Sequence, residues 1–187
     1  MVKKNRKIYL LPGRTGRIDG LIGTMLLELG YSVVGHNIDD SFQKLKFSQQ
    51  VEKVKNDLNN SFFDKESRVI ASSYGAYLFL HAVLERGEFK GKALLFSPML
   101  GRSRLMPNRP VVSPSRNKKI LEYKKENKLP FMDIEVHTGL EDEICDPELA
   151  KEIFEEMQSC KLVLVANASH RLDKDYIKNV LVDFCST

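Results

Sequence analysis

Cysteine is scarce in this chain and poorly placed for structural work. Cys145, Cys160 and Cys185 are odd in number and widely spaced. Such a set builds neither a disulfide framework nor a zinc pattern, and it points to free thiols in a reducing compartment. Only four histidines accompany them, without metal-ligand spacing. Long hydrophobic runs are missing too. The most apolar N-terminal stretch, Ile8–Leu11, is too short for the core of a signal peptide, and nothing is long enough to span a bilayer. These absences set the expectation of a cytoplasmic protein with no membrane span. Nucleotide signatures are also lacking. The loop Gly13-Arg14-Thr15-Gly16 has neither the Gly-Lys-Ser/Thr of a P-loop nor the spaced glycines of a dinucleotide site. No cofactor and no metal are expected.

What is present suits one globular domain over residues 1–187. The chain is 42% hydrophobic, enough for a sizeable core, and its charge is too balanced for disorder. The net charge of +4 is unevenly spread. Residues 98–131 hold nine lysines and arginines against only Glu122 and Glu126, and five of the seven prolines. A connection of that length reads as a lid or substrate-binding segment. Its charge would suit an anionic partner. Tyr123 and Phe131 are its only aromatics, which counts against nucleic-acid binding by base stacking. Within it, Lys118–Lys128 reads as a short amphipathic helix through Ile120, Leu121 and Tyr123.

Elsewhere short apolar runs alternate with longer helical patterns. The runs 8–11, 31–38, 68–72, 93–96, 134–137 and 162–165 read as strands. Helical stripes lie over 18–29, 47–58, 74–86 and 173–184, with Gly30 and Gly87 as stops. Asp146-Pro147-Glu148 starts another helix, with a capping aspartate and a proline in the first turn. This alternation implies an α/β protein with a mostly parallel sheet, covered on both faces.

Ligands of such sheets bind at the carboxyl ends of the strands. The third strand ends in Ala71-Ser72-Ser73-Tyr74-Gly75, and a helical pattern begins at once. A sharp strand-to-helix turn would expose one hydroxyl for attack, provided the positions two before and two after it are small. Ser73 meets that condition through Ala71 and Gly75, whereas Ser72 would have Ile70 and Tyr74 there. The fifth strand is followed by Glu141-Asp142-Glu143 and the sixth by Ser169-His170. Ser73, Asp142 and His170 therefore stand in nucleophile–acid–base order. Glu141, Glu143 and Asp146 compete for the acid role, although Asp146 already serves as a cap. His36 and His137 also lie near strand ends and read as structural or supporting residues, and His81 reads as packing.

An alcohol needs a base within reach as it attacks a carbonyl. His170 would take the Ser73 proton and later hand it to the leaving group, and Asp142 would fix the imidazole tautomer. The backbone N–H groups of Tyr74 and Arg14 would hold the oxyanion. Gly13, Arg14, Leu100, Leu105 and Met106 would contact a small ester-like substrate. The Arg14 side chain is either an ordinary solvated arginine or a partner for a substrate carboxylate or phosphate.

On Leu10-Leu11-Pro12-Gly13, the Ser73 turn, Gly139-Leu140-Glu141-Asp142-Glu143-Ile144 and Ser169-His170, nearly the whole chain resembles the small capless α/β-hydrolases. It is similar to YqiA-type esterases and to retinoblastoma-binding-protein-like serine hydrolases. The resemblance implies a three-layer α/β/α fold with six strands in the order 2-1-3-4-5-6, and cleavage of esters, thioesters or amides. The chain departs from the family at Ala71, where glycine is usual, and at Pro12-Gly13-Arg14, where many members have His-Gly. Two other readings compete: a non-catalytic binding protein on the same scaffold, and anionic-partner binding through residues 98–131.

Overall fold

The computed structural model describes residues 7–101, 103–104, 114–126 and 128–186. Six strands, β1 (Lys7–Leu11), β2 (Ser32–Gly35), β3 (Arg68–Ser72), β4 (Phe89–Phe96), β5 (Phe131–Gly139) and β6 (Cys160–Val165), form one sheet in the order β2-β1-β3-β4-β5-β6. Every pairing is parallel. Helices α1 (Leu21–Glu28), α2 (Asp40–Gln43), α3 (Phe47–Ser61), α4 (Tyr74–Arg86), α5 (Pro114–Lys125), α6 (Pro147–Phe154) and α7 (Lys174–Ser186) connect and follow the strands. No described helix is long and apolar enough to cross a membrane.

Side chains of a strand alternate between its two faces, and the core splits accordingly. Tyr9, Leu11, Val69, Ala71, Ala93, Leu95, Ile134 and Val136 face one way, toward α3, α4 and α6. Ile8, Leu10, Ile70, Leu94 and Phe96 face the other way, toward Met25 and Leu26 of α1 and Ile177, Leu181 and Phe184 of α7. Each fully buried side chain of this size contributes about 1.5–3 kcal/mol. Both faces of the central strands are covered, which explains their unbroken apolar runs. Helix α4 is buried all along Tyr74–Leu84, because it lies under α3 as well as on the sheet.

The elements depart from the sequence reading at their ends. Helix α1 begins at Leu21, not Ile18, because the Ile18 N–H donates to Asn37 Oδ1 at 2.9 Å and a turn closes from Gly20 N–H to Arg17 O. The four-residue α2 was not expected; Asp39 caps it through the Phe42 N–H. Strand β4 starts at Phe89, whose N–H donates to Pro130 O. Helix α5 starts at Pro114 and stops at Lys125. Its Ile120 is buried in the core, and Lys124 reaches Glu156 at 3.3 Å. The helix expected over Lys118–Lys128 is thus present, shifted toward the N-terminus.

Candidate active site

Five loops meet at the carboxyl ends of the strands, and each contributes to one cavity of about 590 Å³. The turn after β3 carries Ser73. Ser73 has φ 49° and ψ −115°, a conformation that non-glycine residues avoid and that costs roughly 1–3 kcal/mol. Its surroundings impose it. The Ser73 N–H donates to Phe96 O at 2.9 Å, and Ser73 O accepts from Met99 N–H at 3.1 Å. Gly75 lets the turn pass beside the first strand: a Cβ there would lie 2.2 Å from Leu11 O and 2.4 Å from Pro12 O. Ala71, on the other flank of Ser73, is fully buried in the strand.

The Ser73 hydroxyl lies 3.1 Å from His170 Nε2. His170 Nδ1 lies 3.0 and 3.1 Å from the two oxygens of Asp142. A carboxylate only accepts, so Nδ1 carries the proton and Nε2 is left to accept from Ser73. Asp142 is fully buried, yet its carboxylate is well supplied. Its Oδ1 accepts from the N–H groups of Ile144 (2.9 Å) and Cys145 (2.7 Å), and Thr138 Oγ1 stands 3.5 Å from Oδ2. Glu143 sits differently: its side chain accepts from the His170 backbone N–H at 3.2 Å and so steadies the histidine loop. The Glu141 side chain is exposed, and Asp146 caps α6 through the Glu148 N–H. Among the four acids weighed from the sequence, only Asp142 reaches the imidazole.

The acid and histidine loops are joined backbone to backbone. Glu141 N–H donates to Ala168 O at 2.9 Å and Leu140 N–H to Val165 O at 3.0 Å. Gly139 allows this approach, since a Cβ there would lie 2.1 Å from Ala168 O. On the other side, the loop after β1 brings Gly13 against Ser73; a Cβ on Gly13 would lie 3.2 Å from Ser73 Cβ. Arg14 follows, its guanidinium 4.7 Å from the centroid of the Tyr74 ring. The Tyr74 hydroxyl donates to Gln50 Oε1 at 2.9 Å in the core.

Of the expected substrate contacts, Gly13 and Arg14 line the cavity. Leu100 does not: it is buried, and Met99 stands in the wall instead, because the chain turns inward at the Met99 N–H to Ser73 O bond. Leu105 and Met106 lie outside the described residues. Several further lining residues were not singled out from the sequence, Arg171, Ile144 and Ser97 among them. Arg171 directly follows His170. Ile144 belongs to the acid loop. Ser97, at φ 43°, is buried with no hydrogen-bond partner for its hydroxyl among the described residues. The small-residue step Phe96-Ser97-Pro98 after a strand was the available signal for the last of these.

The remaining histidines serve elsewhere. The His137 ring is buried between Glu135 (Nε2–Oε1 2.8 Å) and Tyr176 (Nδ1–Oη 2.6 Å). Nε2–H therefore donates to Glu135, and Nδ1 accepts from Tyr176. Burial holds this imidazole below its ordinary value, against the pull of Glu135. His36 faces Asp57 at 2.8 Å beside a separate depression of about 350 Å³. His81 packs edge-on against Tyr77, ring centroids 4.4 Å apart.

Among the described residues, only Asp142, Cys145 and His170 hold donor atoms close enough for a metal ion, within 4.8 Å of one another. Two of them are already bonded to each other. Burial, reinforced by Asp142 and Glu143, pushes the Cys145 thiol up and away from the thiolate a metal needs.

No family model matches the sequence, and no curated protein does. Solved structures match over nearly the full length. A monoacylglycerol lipase from Paleococcus ferrophilus superposes with a TM-score of 0.71 at 12% identity, covering 96% of this chain and 94% of the lipase. A protein from Thermoplasma acidophilum described as a predicted CIB-like hydrolase gives 0.68 at 14% identity, over 98% and 88% of the two chains. The mouse alpha/beta hydrolase domain-containing protein 10 gives 0.64 at 16% identity, over 100% and 89%. The chain has the α/β-hydrolase fold.

Proposed function

We propose that the protein is a serine hydrolase that cleaves small carboxylic esters, with thioesters or amides as chemical relatives. One observation carries the reading: the unbroken chain of contacts from the Ser73 hydroxyl through the His170 imidazole to the buried Asp142 carboxylate. The strained Ser73 backbone adds support, because strain of this kind gathers where chemistry needs it.

In the proposed reaction, Ser73 Oγ attacks the ester carbonyl as His170 Nε2 takes its proton. Asp142 stabilises the imidazolium that forms. The oxyanion is held by the N–H of Tyr74, the first residue of α4. The N–H of Arg14, which makes no hydrogen bond among the described residues, is the second donor. One such donor is worth about 3–4 kcal/mol of barrier. Collapse of the tetrahedral intermediate passes the proton from His170 to the leaving alcohol and leaves an acyl group on Ser73. Water, deprotonated by His170, then releases the acid. The three cysteines, all free of disulfides, suit a cytoplasmic setting. The narrower kinship with YqiA-type esterases is part of the same proposal.

A fluorophosphonate probe tests it. The wild type should label covalently, and both Ser73→Ala and His170→Ala should not. Labelling that persists in Ser73→Ala refutes the nucleophile. A folded wild type that stays unlabelled favours a non-catalytic binding protein.

A further inference from the structure

We propose that the ligand of this cavity carries an anionic group, a carboxylate or a phosphate, recognised by Arg14 and Arg171. The inference deepens the ester-hydrolase reading and rests on it. Three arginines line the cavity and no aspartate or glutamate does. Arg17 is already neutralised: its guanidinium grips both Asp19 oxygens, at 2.8 and 3.0 Å. Arg14 and Arg171 have no acidic partner among the described residues, and none of the undescribed residues is Asp or Glu.

Unpaired surface arginines are ordinary; the placement of these two is not. Arg14 follows Gly13, which packs on the Ser73 side chain, and Arg171 follows His170. The two arginines therefore enter the cavity that holds Ser73 from separate loops. Arg14 is also pre-oriented. Its flat guanidinium rests over the Tyr74 ring, and Gln50 anchors the Tyr74 hydroxyl in the core. A guanidinium held over a ring still has N–H groups to offer in the paired bonds that a carboxylate or phosphate accepts. Deeper in, the walls are apolar: Leu10, Ile22, Phe96, Met99 and Ile177. A slot that is apolar inside and cationic at its mouth fits a short aliphatic chain ending in an anion.

The test uses the full chain with Ser73→Ala, so that esters bind without turnover. Calorimetry compares dimethyl adipate, monomethyl adipate and the matching methyl ester that ends in a phosphonate. At least one anionic ligand should bind about tenfold tighter than the neutral diester at low salt, the scale of one charge-assisted contact. Added salt should erode the preference, and so should a further Arg14→Gln/Arg171→Gln change; Arg→Lys at both sites should retain part of it. The tighter of the two anions identifies the class. Equal binding of the neutral diester, no binding of any ligand, or a preference that survives the double glutamine change overturns the proposal. Failure of the hydrolase reading would appear separately, as a wild type that the fluorophosphonate does not label.

Discussion

Asp142→Asn is the sharpest probe of the proposed chemistry, because the surroundings dictate how the new amide must sit. Oδ1 of Asp142 accepts two backbone N–H groups, from Ile144 and Cys145. An NH₂ turned toward them would strand two buried donors, at roughly 1–3 kcal/mol each. The asparagine oxygen therefore keeps those bonds, and its NH₂ faces His170 Nδ1. That nitrogen must then accept, so the ring proton moves to Nε2, 3.1 Å from the Ser73 oxygen. The histidine becomes a donor where a base is required. Wrong-tautomer variants of such triads lose about 10⁴ in kcat, or about 5 kcal/mol of barrier. The loop keeps its backbone bonds, so the melting temperature should move little. Release of 4-nitrophenol from a short-chain ester gives kcat, and a thermal melt gives stability. A folded asparagine variant within about tenfold of wild type would refute the tautomer argument.

Three further expectations follow from particular residues. Gly75→Ala sets a Cβ against two backbone oxygens that cannot yield, so it should cost more than about 4 kcal/mol in urea unfolding; an unchanged midpoint would show that the first and third strands can separate. His137 resists protonation when folded but takes a proton below about pH 6.5 when unfolded. Stability should therefore fall as pH drops through that value, with Glu135, itself held low, adding its loss only further down. His137→Gln should flatten the upper part of this decline, and parallel melting curves for both proteins over about pH 7 to 5 would contradict the assignment. Ser97→Ala removes a buried hydroxyl that has no partner among the described residues and should raise stability by about 1 kcal/mol. A clear loss in the same melt would mean that the hydroxyl is satisfied in solution.

The strand positions and the Ser73 turn were readable because both follow from local rules, whereas the order of the strands came only with the family resemblance. Apolar runs in β1, β3 and β4 are continuous, since helices cover both faces, and the turn needs small residues at fixed offsets. The choice of Asp142 over Glu141 and Glu143 was not local. It depends on which carboxylate the loop turns under the sheet rim, toward the N–H groups of Ile144 and Cys145, and adjacent acids in one loop look alike in sequence. Leu100 was misread for a similar reason, since the inward turn at Met99 is made by a hydrogen bond to residue 73. Arg171 was passed over because an arginine beside a histidine has no pattern until the fold shows what it borders. Helix α1 was drawn too long, because Ile18 continues the apolar stripe while a side chain from another loop claims its N–H.

The backbone seam that joins residues 140 and 141 to residues 165 and 168 has a kinetic corollary. His170 and Asp142 ride on joined loops at the β5–β6 side of the sheet, while Ser73 follows β3 nearer its middle. Fraying of the β6 border should withdraw the pair together, disengaging catalysis without scrambling it. Turnover is then expected to fade on gentle warming before the fold melts and to return on cooling, which activity followed through one heating cycle would record.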